Sequence, residues 1–142
     1  MNEDKKAKLL LLHPKLSNYL WFLEADVENI ELSFRDYMIC LNGIWKDGTW
    51  KSGHWKNGRW LDGFWEDGFW NDGIWERGVW GKGNWVNGTW GYGTWENGMW
   101  KDGIWYDGKW KGGHIWNPKI SGYEYSKVSP NECKWSLSYK KD

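Results

Sequence analysis

The chain has 142 residues, and nineteen Lys and Arg balance nineteen Asp and Glu, so no net field draws it onto duplex nucleic acid or an anionic membrane surface. Its length suits one domain, but seventeen Trp and nineteen Gly exclude an ordinary globular composition.

Five of the first eight residues are charged. The apolar run Leu9 to Leu12 then stops at His13-Pro14-Lys15, too short for a signal sequence or a membrane span. A cytoplasmic protein that is not secreted is expected. Leu16, Tyr19, Leu20 and Leu23 fall at helical spacing with Trp21 beside them, which predicts a short helix. Ile30, Leu32 and Phe34 alternate, and Tyr37 to Leu41 runs apolar, which predicts a strand pair leading into the middle of the chain. Residues 1–41 thus form an N-terminal capping segment. Cys40 and Cys133 flank the middle of the chain and are expected to be free, reduced and structural.

From Trp45 to Trp110 fourteen tryptophans recur every fifth residue, each two residues after a glycine. The unit is (Asp/Asn)-Gly-x-Trp-x, and ten of the fourteen units open on Asp-Gly or Asn-Gly. In a fifteenth unit, Gly112-Gly113-His114-Ile115-Trp116, one extra residue precedes the Trp and the register breaks. Residues 42–116 are therefore one repeat array. Asn-Gly and Asp-Gly favour a type I′ turn, which needs positive φ at both central residues. Three residues remain for each strand, and the position before Trp often holds a good strand former: Ile44, Thr49, Phe64, Phe69, Ile74, Val79. The expected fold is all-β, a single-layer antiparallel meander of very short strands. Alternation along each strand then puts every indole on one face, in a ladder roughly 65 Å long at about 4.8 Å per strand. A competing geometry is the pentapeptide-type β-helix, where Gly-x-Trp would place both residues inside. Four indoles in each four-cornered coil would overpack its interior.

An open face of fourteen indoles needs a cover. The flanks supply only part of it, since a ten-residue helix spans about 15 Å. Residues 117–142 are expected to act as a C-terminal cap, with Trp135-Ser136-Leu137-Ser138-Tyr139 alternating as a closing strand. Self-association, or another protein, is expected to cover the rest. The interaction surface expected from the sequence is Trp60, Trp65, Trp70, Trp75 and Trp80 on one side of the ribbon, with Leu61, Phe64, Phe69, Ile74 and Val79 forming an apolar centre on the other. The alternative function is an aromatic platform for nucleotides or glycans, held at the ladder ends by Trp45, Trp50, Lys46 and Lys51 or by Trp105 and Trp110.

Gly-x-Trp-x-(Asp/Asn)-Gly, as in Gly58-Arg59-Trp60-Leu61-Asp62-Gly63, resembles the hairpin core of MORN repeats, β-meanders that act as interaction and assembly modules. MORN units are much longer and carry Tyr, His and Gly positions that this chain lacks. The unbroken five-residue form, over residues 42 to 116, is similar to Trp-rich Gly-x-Trp repeat proteins of tailed bacteriophages and bacteria. That resemblance implies a viral setting, hence a host cytoplasm, and brings no catalytic residues.

Chemistry is expected to be absent. The Asp residues repeat at turn positions, where an array offers the same polar group again and again. His13, His54 and His114 share no ligand spacing with each other or with the cysteines. No glycine-rich loop opens a helix, so no phosphate cradle of that type is expected. The sequence therefore points to a non-catalytic structural or interaction module with no cofactor and no metal.

Overall fold

The structure, a computed structural model, describes residues 1–141. The repeat does not fold back on itself. Each Trp lies over the one fifteen residues earlier, as in Trp45↔Trp60, Trp60↔Trp75 and Trp75↔Trp90, and these pairings are parallel. Three units make one coil, and about five coils stack into a three-sided parallel β-solenoid. At about 4.8 Å per coil the stack is roughly 24 Å long, in place of the 65 Å ribbon. The antiparallel meander, and with it the hairpin likeness to MORN repeats, is not what forms; the β-helix alternative is the nearer geometry.

The reason lies at the corners. A type I′ hairpin needs two successive residues at positive φ, but here only the glycine of each corner has it, as at Gly68 (φ +136°). One such residue turns the chain onto the next side without reversing it. The preceding Asp or Asn works differently from the expectation: its side-chain oxygen accepts a hydrogen bond from the glycine N–H, at 2.8 Å for Asp47, Asp62, Asp67 and Asp72. That side chain satisfies a corner donor.

Three corners also answer the packing objection raised against four. Within a coil, successive indoles meet edge to face at 5.6–6.1 Å and 70–83°. Between coils, they stack at 4.8–5.2 Å and 4–12°. Both arrangements suit the ring quadrupole. Trp45 to Trp100 are fully buried, and Trp105 is 2% exposed. The cover that the sequence left open is the array itself.

Several indole N–H groups bond to a corner carbonyl seventeen residues on, as Trp65 to Lys82, Trp70 to Asn87 and Trp75 to Tyr92, at 3.1–3.2 Å. The N–H groups of Trp45, Trp50, Trp55, Trp60, Trp80 and Trp95 are buried without a partner among the described residues. Two indoles near the end of the stack turn to the C-terminal segment instead. Trp100 donates to Ser138 Oγ and Trp110 to the Ser126 carbonyl, both at 3.0 Å.

The three columns name the faces. The first holds Trp45, Trp60, Trp75, Trp90 and Trp105. The second holds Trp50, Trp65, Trp80, Trp95 and Trp110. The third runs Cys40, Trp55, Trp70, Trp85, Trp100, Ile115, with smaller residues at its two ends. Where the extra residue breaks the repeat, Ile115 takes the inner place. Trp116 then lies outside, edge-on to Tyr123 at 5.2 Å and beneath Lys101 Nζ at 5.0 Å.

Both ends are closed. Strand β1 (Asp26–Phe34) pairs antiparallel with β2 (Met38–Asp47), which rounds a corner and joins the first and third faces into one sheet. Helix α1 (Glu3–Leu12), capped by the Asn2 side chain, forms where the sequence predicts none. The expected helix splits at Tyr19 into a 3-10 turn (Pro14–Asn18) and a single turn α2 (Leu20–Leu23). Phe22 and Trp21 then seat on Trp45 and Trp50 at 5.8 and 5.2 Å. At the other end a hairpin, Gly113–Asn117 with Gly122–Ser126, closes the sheet. Trp135 to Tyr139 are turns, a correction to the expected strand. Their small residues face inward, Ser136 at 8% and Ser138 at 0% exposure, because the stack ends in an indole whose N–H needs an acceptor. Among the described residues no helix is long and apolar enough to cross a membrane.

Candidate binding groove

With the indoles sealed inside, function must be sought among the outward residues, which share a column every fifteen positions. The residues expected as one interaction surface separate accordingly. Trp60, Trp65, Trp70, Trp75 and Trp80 are core, with no exposed area. Phe64 and Val79 share the second face, Ile74 lies on the first beside Arg59, Phe69 lies on the third beside His54, and Leu61 follows Trp60 at a corner. The expected apolar centre thus wraps around all three faces. The expected ligand ends are closed too. Trp45 and Trp50 lie beneath Phe22 and Trp21, Trp105 is buried, and Trp110 is half-buried against the C-terminal segment. Lys46 pairs with Glu28 at 2.5 Å, and Lys51 is exposed.

A depression of about 560 Å³ lies at Asn131, Glu132, Tyr139 and Lys140 in the C-terminal segment, and apart from it the third face is hollowed around a row of aromatic rings. On the third face Tyr37 stacks on His54 at 6.0 Å and 22°, and His54 meets Phe69 at 4.5 Å and 59°. This aromatic row separates two depressions that share Tyr37 and His54. The larger, about 490 Å³, is reached by Ser52, Asp67, Phe69 and Asn84. The smaller, about 290 Å³, is reached by Ser33, Arg35, Lys56 and Asn71. One side therefore presents a carboxylate and an amide, the other two cations.

His54 Nε2 is buried and has no hydrogen-bond partner among the described residues. Burial first, and Lys56 second, hold the imidazole below its usual value of 6.5. A histidine depressed in the folded state binds fewer protons than in the unfolded chain once the pH falls below that value. His54 is therefore expected to add nothing to the pH dependence above about 7 and to cost stability progressively as the pH drops through 6.5. Melting temperatures from pH 8 to 5 check this against His54→Gln, whose profile should be flatter in the acid range. Coincident profiles would remove the assignment.

Asp67 is bound at one oxygen by the Gly68 N–H at 2.8 Å, and its other oxygen lies 3.9 Å from Lys82 Nζ. The remaining titratable groups do not converge. Among the described residues no group of three or more His, Cys, Asp or Glu could hold a metal ion. His13 lies against Phe34 and His114 against Tyr125, far from any shared centre. Both cysteines are free and buried, and burial pushes the Cys40 thiol up to about 12 and Cys133 upward as well. Neither is a ready thiolate.

From the sequence alone, His54 enters only as a metal ligand to be weighed and Phe69 only as an apolar contact, and neither is joined to Tyr37, Arg35 or Asp67. A period of fifteen in place of five would have found the pair, since His54 and Phe69 are one coil apart. Comparison with protein-family models, with curated proteins and with solved structures returned no match to this chain.

Proposed function

We propose that the chain is a non-catalytic interaction module, a rigid three-sided rod that pairs weakly with a second copy of itself through its second face. The observation that carries this is a flat apolar pair on that face, Phe64 and Val79, flanked in its column by Thr49 and Thr94. Phe64 is 41% exposed and Val79 follows it in the same column. At Gly81, the next outward position, a Cβ would sit 3.2 Å from the Phe64 ring. The missing side chain leaves room for the ring to lie flat along the sheet, a shape suited to face-to-face sheet packing. Inside the array, Trp and Gly repeat without exception, while the outer positions change from unit to unit. The constant residues build the rod, and the variable ones are free to recognise.

A face of this size is well below a standard stable interface, so the pairing is weak and concentration-dependent. Light scattering over a concentration series tests it. The expected result is a mass that climbs toward the dimer for the native chain and stays at the monomer for Phe64→Glu. A native chain that remains monomeric throughout rejects self-pairing and leaves a different protein as the partner. The indoles from Trp45 to Trp100 should stay inaccessible to soluble quenchers in either state.

A further inference from the structure

We propose that the groove around Tyr37, His54 and Phe69 binds a guanine nucleotide, with its base against the aromatic row beside Asp67 and its phosphate toward Arg35 and Lys56.

The proposal rests on a division of labour across the row. Aromatic side chains hold a base by stacking, a sequence-tolerant contact that any π face can make. Tyr37 is 45% exposed, so its outer ring surface is open, while His54 and Phe69 back it from within. The larger depression, at about 490 Å³, lies within the range of small-molecule sites. Its polar groups are Asp67, Asn84 and Ser52. The Asp67 oxygen not held by Gly68 has only the exposed Lys82 Nζ near it, at 3.9 Å, and leaves room for further donors; guanine presents two adjacent ones, its ring N1–H and its exocyclic amine. Adenine has no such pair. A carboxylate also repels phosphate, so the anionic end of the ligand must point elsewhere. The smaller depression supplies that place, for Arg35 and Lys56 are both exposed there, and none of the residues reaching it is acidic. The buried, unpartnered His54 Nε2 sits between the two. A neutral sugar would use the Asp67 side and leave both cations idle, so the nucleotide accounts for more of the groove.

The indoles beneath this groove, Trp55 and Trp70, are sealed in a core of many tryptophans, so bulk tryptophan emission is a poor reporter of this site and the readout must be local. The experiment titrates the full chain with guanosine monophosphate, adenosine monophosphate, guanosine and inorganic phosphate, following the His54 and Tyr37 ring resonances by NMR. Guanosine monophosphate is expected to shift both rings saturably, with adenosine monophosphate weaker by about tenfold, the discrimination that a two-point base contact confers. Asp67→Asn keeps the oxygen that accepts from Gly68 and is expected to erase the preference for guanine. Arg35→Gln with Lys56→Gln is expected to weaken the nucleotide about tenfold, leave guanosine unchanged and flatten the salt dependence. Near-UV circular dichroism of the indoles confirms that each variant is folded. Should Asp67→Asn fail that check, Asp67→Ser takes its place, since a hydroxyl can also cap the corner. No saturable shift of His54, or equal shifts with inorganic phosphate alone, overturns the proposal. Neither result bears on pairing through the second face, which light scattering reads separately.

Discussion

Deleting Glu76 alone is expected to abolish the cooperative fold, whereas deleting all five residues from Asp72 to Glu76 is expected to lower the melting temperature by only roughly 5 to 15 °C. Removing fewer residues does more damage because the core counts in fives. After the five-residue deletion Asn71 leads directly into Arg77-Gly78-Val79-Trp80, so a corner still follows a strand and every later indole still points inward. The rod loses one third of a coil and the nearest-neighbour contacts that went with it. The exposed pairs of Glu76 with Arg59 and of Arg77 with Asp62 are lost, at about 0 to 1 kcal/mol each. The single deletion leaves a corner one residue short. Each of the seven tryptophans from Trp80 to Trp110 must then leave its column or strain the corner to reach it. The chain contains the converse case, for one extra residue before Trp116 puts that indole outside and ends the array. Thermal unfolding followed by near-UV circular dichroism reads both variants. Equal damage from the two deletions would mean that the inward position of the indoles does not depend on this spacing. In an antiparallel meander the five-residue deletion would instead reverse every later strand and carry the C-terminal segment to the opposite edge.

The same distinction between five and fifteen explains what could be read before the structure. Trp and Gly recur every fifth residue, so the sequence reveals that each unit is one short strand and one turn, with its indole on a shared side. The direction of the chain after the turn is not in that signal. Asp-Gly suits a hairpin with two positive φ angles and a corner with one, and the two differ only in the conformation of the Asp. The packing argument is sound against four indoles in a coil, and it fails against three, where edge-to-face contacts at about 70° fill the triangle. The outside is harder to read, because its neighbours are fifteen apart. Phe64, Phe69 and Ile74 look like one apolar run and lie on three faces, while His54 and Phe69 look unrelated and touch. The strand pair before the array is legible from alternation. The Trp135 to Tyr139 segment carries the same alternation and is not a strand, since the indole N–H of Trp100 draws Ser138 inward.

Replacing Gly68 by Ala is expected to cost about 3 to 5 kcal/mol, a loss usually reserved for a large core truncation, although only one methyl group is added. Two independent penalties meet at this corner. The backbone holds φ at +136°, a region that only glycine occupies freely, and an L side chain there is strained by about 1 to 3 kcal/mol. The added Cβ would also fall 2.5 Å from the Gly53 carbonyl oxygen of the coil below, with the Trp65 ring at 3.1 Å. That oxygen accepts the ladder hydrogen bond from the Phe69 N–H at 3.0 Å, so it cannot move aside without opening the stack. Gly122, in the closing hairpin, is the control. Its nearest neighbour to an added Cβ is 3.8 Å away, and Ala there should cost well under 1 kcal/mol. Denaturant midpoints for the two variants give the comparison directly. If Gly68→Ala proves as mild as Gly122→Ala, the coils are not in backbone contact at the corners, and the parallel stack of indoles that depends on that contact is wrong.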